Sequence, residues 1–258
     1  MKKRIVSILL ILCLALSVTA CGGNEGATSV GAAFLNEAIQ KNKALDSLAA
    51  KMEMTIDMSI QGMTLSVPVT ADVKVVGETA YTKMSTSLLG QEIKVEAYME
   101  DGWIYMVLGD QKFKNNADTS EYDYSDDMNN MMQELPDDLL KTAAVTENAD
   151  GSKTAKVTLS GKQFTSLFSA FVDGLSATTG TGIEGVTIGD AVVSVTVAEG
   201  YVTEYDMEFS MNMTAAGTET ATEVKATMTF EEPGSTVTIT PPEGYQDFPD
   251  GTGSILAA

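Results

Sequence analysis

The 258-residue chain contains no histidine. Ser-His-Asp and Cys-His catalysis, histidine-ligated zinc or iron, and a histidine pH switch are excluded with it. Cysteine is nearly as scarce: Cys13 and Cys21 are too few for a cysteine metal cluster or a multi-disulfide scaffold. Cations are also in short supply. Lys and Arg number 16 against 36 Asp and Glu, a net charge of −20. That balance argues against nucleic acid as a partner, because nucleic-acid binding needs cations to displace counterions from phosphates. No nucleophile elbow, phosphate loop or metal-ligand spacing occurs. Adjacent carboxylates such as Asp126-Asp127 and Asp137-Asp138 are unsurprising among 36 acids. Neither catalysis nor a cofactor is expected. The rest, 44% hydrophobic and 20% charged, is the composition of a globular body with one candidate membrane-length apolar run at its start.

That run is flanked as a secretory leader is. Lys2, Lys3 and Arg4 precede the apolar stretch 5–18, and small residues follow it. The stretch is short of the ~20 residues of a membrane span. Val18-Thr19-Ala20-Cys21 resembles the bacterial lipobox, in which the leader is cut before the cysteine and that cysteine carries the lipid. The resemblance implies that residues 1–20 are a lipoprotein signal peptide and that Cys21 is the lipidation site. A diacylglycerol-type anchor would then hold the protein on the outer face of the bacterial cytoplasmic membrane. Removing residues 1–20 takes away three cations and no acid, so the net charge moves from −20 to −23. Anionic headgroups repel such a body, so attachment has to come from the acyl chains. Residues 21–31 are Gly-rich, without apolar periodicity, and are expected to be a flexible tether.

Beyond the tether, Phe34, Leu35, Ala38, Ile39, Leu45 and Leu48 follow a helical spacing. From Lys51 the period becomes two. Met52, Met54, Ile56, Met58 and Ile60 alternate with polar residues, and the alternation resumes from Met63 to Val75, with Pro68 predicting an edge or a bulge. Strands are expected over 80–87, 91–100 and 103–108, with a short one around Phe113. Met128, Met131, Met132, Leu135, Leu139 and Leu140 outline an amphipathic helix interrupted by Pro136. A strand over 154–159 leads to Ser160 and Gln163, a capping box for a helix carrying Phe164, Leu167, Phe168, Phe171, Val172 and Leu175. Three long strands, 186–197, 201–214 and 218–231, and a terminal one over 237–240 complete the pattern. No linker divides residues 32–245, which are expected to form one domain, with 246–258 as a disordered tail.

Two features invite over-reading. Asp123, Ser125, Asp127, Asn129 and Glu134 stand where a calcium loop places oxygen ligands, but Met128 occupies the position that loop reserves for Gly. No metal site is expected. The 15 methionines suit either an adaptable ligand-cavity lining or a core in which Met fills gaps. A thioether copper site lacks the other soft ligands it would need.

Area arithmetic bears on that choice. Ten strands of ~30 Å at ~4.8 Å spacing offer roughly 1,400 Å² of apolar face, whereas three helices of ~20 by ~10 Å cover about 600 Å². The sheet must curl around its helices or leave an apolar hollow. The expected fold is therefore α+β and mainly antiparallel: one large curved sheet of about 10–11 strands around about three helices. This layout resembles the half-barrel lipoprotein superfamily of LolA, LppX and LprG, and more closely an uncharacterised group of Gram-positive lipoproteins. The residues carrying the likeness are the motif at Cys21, Ala44-Leu45-Asp46-Ser47 leading into 52–60, the hairpin Tyr98-Met99-Glu100-Asp101-Gly102-Trp103-Ile104-Tyr105, and Gly200-Tyr201. It implies a cavity that holds acyl chains, with a lipid or acylated ligand as partner. Met54, Met58, Phe168, Phe171, Met207, Phe209 and Met211 are the candidate lining residues. The competing expectation is a surface interaction or sensor lipoprotein with a filled core.

Overall fold

The structure, a computed structural model, describes residues 32–60, 62–88, 90–116, 137–167, 183–215 and 218–251. The expected leader, the expected tether with Cys21, the calcium-like positions 123–134 and the helical pattern beyond Leu167 lie outside the described residues. In chain order the elements are α1 (Ala33–Lys43), β1 (Ser47–Ile60), β2 (Met63–Val76), β3 (Thr79–Leu88), β4 (Gln91–Glu100), β5 (Trp103–Leu108) and β6 (Gln111–Asn116). They are followed by α2 (Asp137–Leu140), β7 (Ala144–Glu147), β8 (Lys153–Leu159), α3 (Gly161–Leu167), β9 (Ile183–Ala198), β10 (Tyr201–Ala215) and β11 (Thr218–Phe230).

All eleven strands form one sheet, ordered β6-β5-β4-β3-β2-β1-β11-β10-β9-β8-β7. The neighbours pair antiparallel throughout. The chain runs outward from β1 to the edge at β6, restarts at the opposite edge with β7, and returns to pair β11 with β1. The sheet is open, with β6 and β7 as its two edges. This is the α+β, mainly antiparallel fold that the alternation predicts, with all its strands in one large sheet as the resemblance to half-barrel proteins implies.

Register sorts each strand into a dry and a wet face. Met52 sits opposite Ala71 and Met228, Met228 opposite Tyr205, and Tyr205 opposite Val195. Followed both ways, that row runs unbroken from Leu108 through Val95 and Met84 to Ala155 and Val145. Ten strands thus share one apolar row, and side chains from all of its central strands belong to a single buried cluster. The odd-numbered residues of β1 and β11 (Lys51, Glu53, Thr227, Lys225) carry the charge on the other face.

Two β-bulges keep this sorting consistent. Val202 and Tyr205 are both buried although three residues apart, because β10 shifts register between Val202 and Glu204. Ile188 and Ala191 are likewise both buried, across the shift that places Phe209 opposite Ala191 and Met211 opposite Ile188. Each bulge inserts one residue and restores the inward parity. The second also seats α3. Gly161 lies so close to β9 that a Cβ there would collide with the Ile188 carbonyl oxygen. The predicted capping box is present: the Ser160 N–H and hydroxyl donate to Gln163 Oε1 at 3.0 and 2.7 Å.

Four expectations need correction. Leu45 and Leu48 do not extend the first helix, because α1 ends at Lys43 and Leu48 is already a buried strand residue. Residues 237–240 form no strand; the Val237 N–H instead donates to the Ser47 hydroxyl. Residues 246–251 are not a disordered tail. Tyr245 packs edge-on against the paired rings of Tyr98 and Tyr105, its centroid 5.0 and 4.9 Å from theirs, and its hydroxyl donates to Glu100 at 2.8 Å. Phe248 is buried against this cluster, and Lys114 on edge strand β6 exchanges backbone hydrogen bonds with Pro249 and Gly251. The exposed ladder of β6 is thereby partly paired. Finally, Pro68 lies in β2, well inside the sheet rather than on an edge strand. It is nevertheless a local edge: the β3 ladder starts one residue later, at Val69 opposite Thr86.

Candidate functional site

Three successive cross-strand rows on the apolar face bring the predicted residues together. Met54 faces Ala226, which faces Met207. Ile56, Val224 and Phe209 make the next row, and Met58, Thr222 and Met211 the third. Five of the seven candidates therefore occupy one patch of β1, β11 and β10, with Met54 and Met207 about 10 Å apart across a single intervening strand. Met54, Met207, Phe209 and Met211 are buried and Met58 is half-buried. Phe168 and Phe171 lie outside the described residues.

The helices that contact the sheet most lie to one side of this patch. The α1 helix packs against β10 and β9, and α3 against β9 and β8. Phe164 of α3 is fully buried, with its ring 4.8 Å from that of Phe209. It was legible as a core position of a helix, but nothing in the sequence marked it as the neighbour of Phe209. Methionine is well suited to this floor: an unbranched thioether adopts many shapes at low cost.

Two hydroxyls of this face escaped the sequence reading, although the alternation places Tyr205 on it with Met207, Phe209 and Met211. Tyr205 and Thr222 are almost completely buried, and neither side-chain hydroxyl has a hydrogen-bond partner. Burial pushes the Tyr205 phenol far above its ordinary range, so it remains a neutral hydroxyl.

The opposite, polar face holds a groove of about 590 Å³ that crosses the strands from β2 to β8. Its floor includes Thr70, Glu53, Thr227, Asp206, Ser194 and Lys156. The Thr227 hydroxyl donates to Asp206 at 2.7 Å, and Lys225 pairs with Glu208 at 3.0 Å. Beside the groove, Glu204 is raised above the usual carboxylate range by burial and then by the Asp206 charge. The groove presents both signs of charge and many hydroxyls. Among the described residues no group of three or more metal-ligating side chains occurs, and no helix is long and apolar enough to cross a membrane.

One open antiparallel sheet of eleven strands, with helices on its apolar face, places the chain among α+β proteins built on a single large sheet. Within that class, the model of a family described as "Family of unknown function (DUF6612)" matches residues 32–246, and the chain belongs to that family. Among solved structures the chain is similar to LprF from Mycobacterium bovis at 13% identity, covering 84% of this chain and 99% of that one, with a TM-score of 0.42. A LolA superfamily protein from Nitrosomonas europaea shares 10% identity over 80% of this chain and 95% of its own, at a TM-score of 0.25. A putative outer membrane lipoprotein-sorting protein domain from Vibrio parahaemolyticus shares 8% over 81% and 95%, at 0.26. These likenesses are distant. No curated protein matches the chain.

Proposed function

We propose that the protein is a lipid-anchored extracytoplasmic binding protein, tethered through Cys21, that holds an apolar or acylated ligand on the methionine-rich face of its sheet. The observation that carries this reading is the convergence of Met54, Met58, Met207, Phe209 and Met211 on one patch of three adjacent strands. β-Branched residues would pack such strands as well and more rigidly, so flexible side chains at these positions favour a surface that adapts to a guest. The reading assigns no catalytic step.

Native mass spectrometry of the protein purified from its own membrane tests it. The expected result is a population carrying extra mass that organic extraction releases as acyl-containing material. A ligand-free protein that also fails to bind a fluorescent fatty-acyl probe would overturn it.

The polar groove favours a second reading, a surface interaction or sensor lipoprotein with a filled core. Charge reversal at Lys156 or Asp206 would then abolish partner binding while leaving acyl-probe binding untouched.

A further inference from the structure

The apolar face is almost free of polar side chains, yet it contains two hydroxyls that have lost water and gained nothing. Thr222 lies between Met58 on β1 and Met211 on β10, and Tyr205 lies between Met228 on β11 and Val195 on β9. A buried hydroxyl without a partner carries the full desolvation penalty. Val at 222 and Phe at 205 would fill the same space without it. The two groups bracket the candidate floor: from Tyr205 to the Thr222–Met211 pair is six residues of β10, about 20 Å, the span of an extended acyl chain. Met58 and Met211 beside Thr222 are unbranched and can turn aside to uncover its hydroxyl.

We infer that the Thr222 and Tyr205 hydroxyls are donors to a bound ligand, and that the ligand is a neutral ester-linked acyl lipid. This rests on the binding reading above and names its ligand class. Both groups are neutral donors, so the ligand must bring oxygen acceptors. No Lys or Arg stands on the apolar face of β1, β10 or β11, since the alternation puts Lys51 and Lys225 on the other side. A free carboxylate on this face would therefore be buried without a counter-charge, which is costly. An ester carbonyl supplies a projecting acceptor without charge; an ether oxygen, held in line between two alkyl groups, is a more hindered acceptor, and a bare hydrocarbon has none.

The test compares dipalmitoylglycerol with its ether counterpart, dihexadecylglycerol, as competitors for a fluorescent acyl probe on the full chain. The ester is expected to bind about three- to tenfold more tightly, the worth of one or two net hydrogen bonds. Thr222→Val or Tyr205→Phe should erase part or all of that preference, and Thr222→Ser should retain it. Equal binding of ester and ether by the parent, or a full preference surviving in both variants, overturns the inference and leaves the binding reading standing. Failure of the parent to bind the probe and either lipid overturns both. The parent comparison requires no variant, so a misfolded substitution does not blunt the test.

Discussion

Asn42 acts as a strand partner for Val202. Its Nδ2 donates to the Val202 carbonyl at 3.0 Å, and its Oδ1 accepts from the Val202 N–H at 3.1 Å. The β10–β11 pairing begins two residues later, at Glu204 opposite Thr229, so a helical side chain closes a backbone position that β11 leaves unpaired. Next to it, Lys41 donates to the Glu199 carbonyl at 2.9 Å and lies 3.6 Å above the Tyr201 ring. The last turn of α1 thereby locks onto the β9–β10 hairpin, which holds the start of the strand that carries Tyr205, Met207, Phe209 and Met211.

Replacing Asn42 by Ala leaves a buried N–H and a buried carbonyl without partners. The expected loss is about 2–4 kcal/mol in a urea melt. A loss below about 0.5 kcal/mol, that of an ordinary surface change, would show that the pair does not hold the helix.

Much of the sheet was legible because alternation is a direct consequence of the pleat. Met52 to Met58 and Tyr205 to Met211 alternate without a break, and the structure pairs them in register across β11. What escaped was whatever breaks or lacks a period. The bulges at Thr203 and at Gly189-Asp190 change parity within strands whose composition looks uniform. The β7 strand has only four residues, AVTE, too few to show a pattern. The C-terminal strap is held by the contacts of Tyr245, Phe248 and Pro249 with distant strands, which no local spacing encodes. For the site, the face was legible but the unpaired hydroxyls were not, since the surroundings of Thr222 are set by neighbours such as Met58, about 160 residues away along the chain and far outside any local window of sequence.

Alkaline pH provides a second check on the packing. Burial holds the Tyr205 and Tyr98 phenols far above the ordinary value of 10.0. Below pH 10 both folded and unfolded chains keep these protons, and the two groups leave stability unchanged. Above it the unfolded chain releases them first and binds fewer protons, so stability falls as pH rises. Tyr205→Phe should flatten that fall, seen as a smaller slope of unfolding free energy against pH above 10. An identical slope in the variant would mean that the phenol is not buried. Between about pH 6 and 9, with no histidine to titrate, the curve should be nearly flat.

The anchor assignment predicts a processing defect. If Cys21 carries the lipid, Cys21→Ala should accumulate as a precursor that keeps residues 1–20 and incorporates no labelled palmitate. Mature-sized, membrane-retained protein in that variant would remove the lipobox reading, and with it the outward-facing location proposed above.

Met211 distinguishes a floor that receives a guest from a core that is already full. It lies opposite Thr222 and Ile188, two residues from the Phe209 ring that α3 covers through Phe164. A Trp at this position adds volume on the apolar face. Where space is kept for a ligand, Met211→Trp should fill it: acyl-probe binding falls by an order of magnitude or more, and the denaturation midpoint barely moves. In a closed core the same change overpacks the rows between Met58 and Ile188 and costs about 1–3 kcal/mol. Probe titrations and urea melts of parent and variant, run side by side, separate the two. Clear destabilisation together with no probe binding by the parent would end the lipid-binding proposal and leave the polar groove, with Lys156, Asp206 and Glu208, as the surface to pursue.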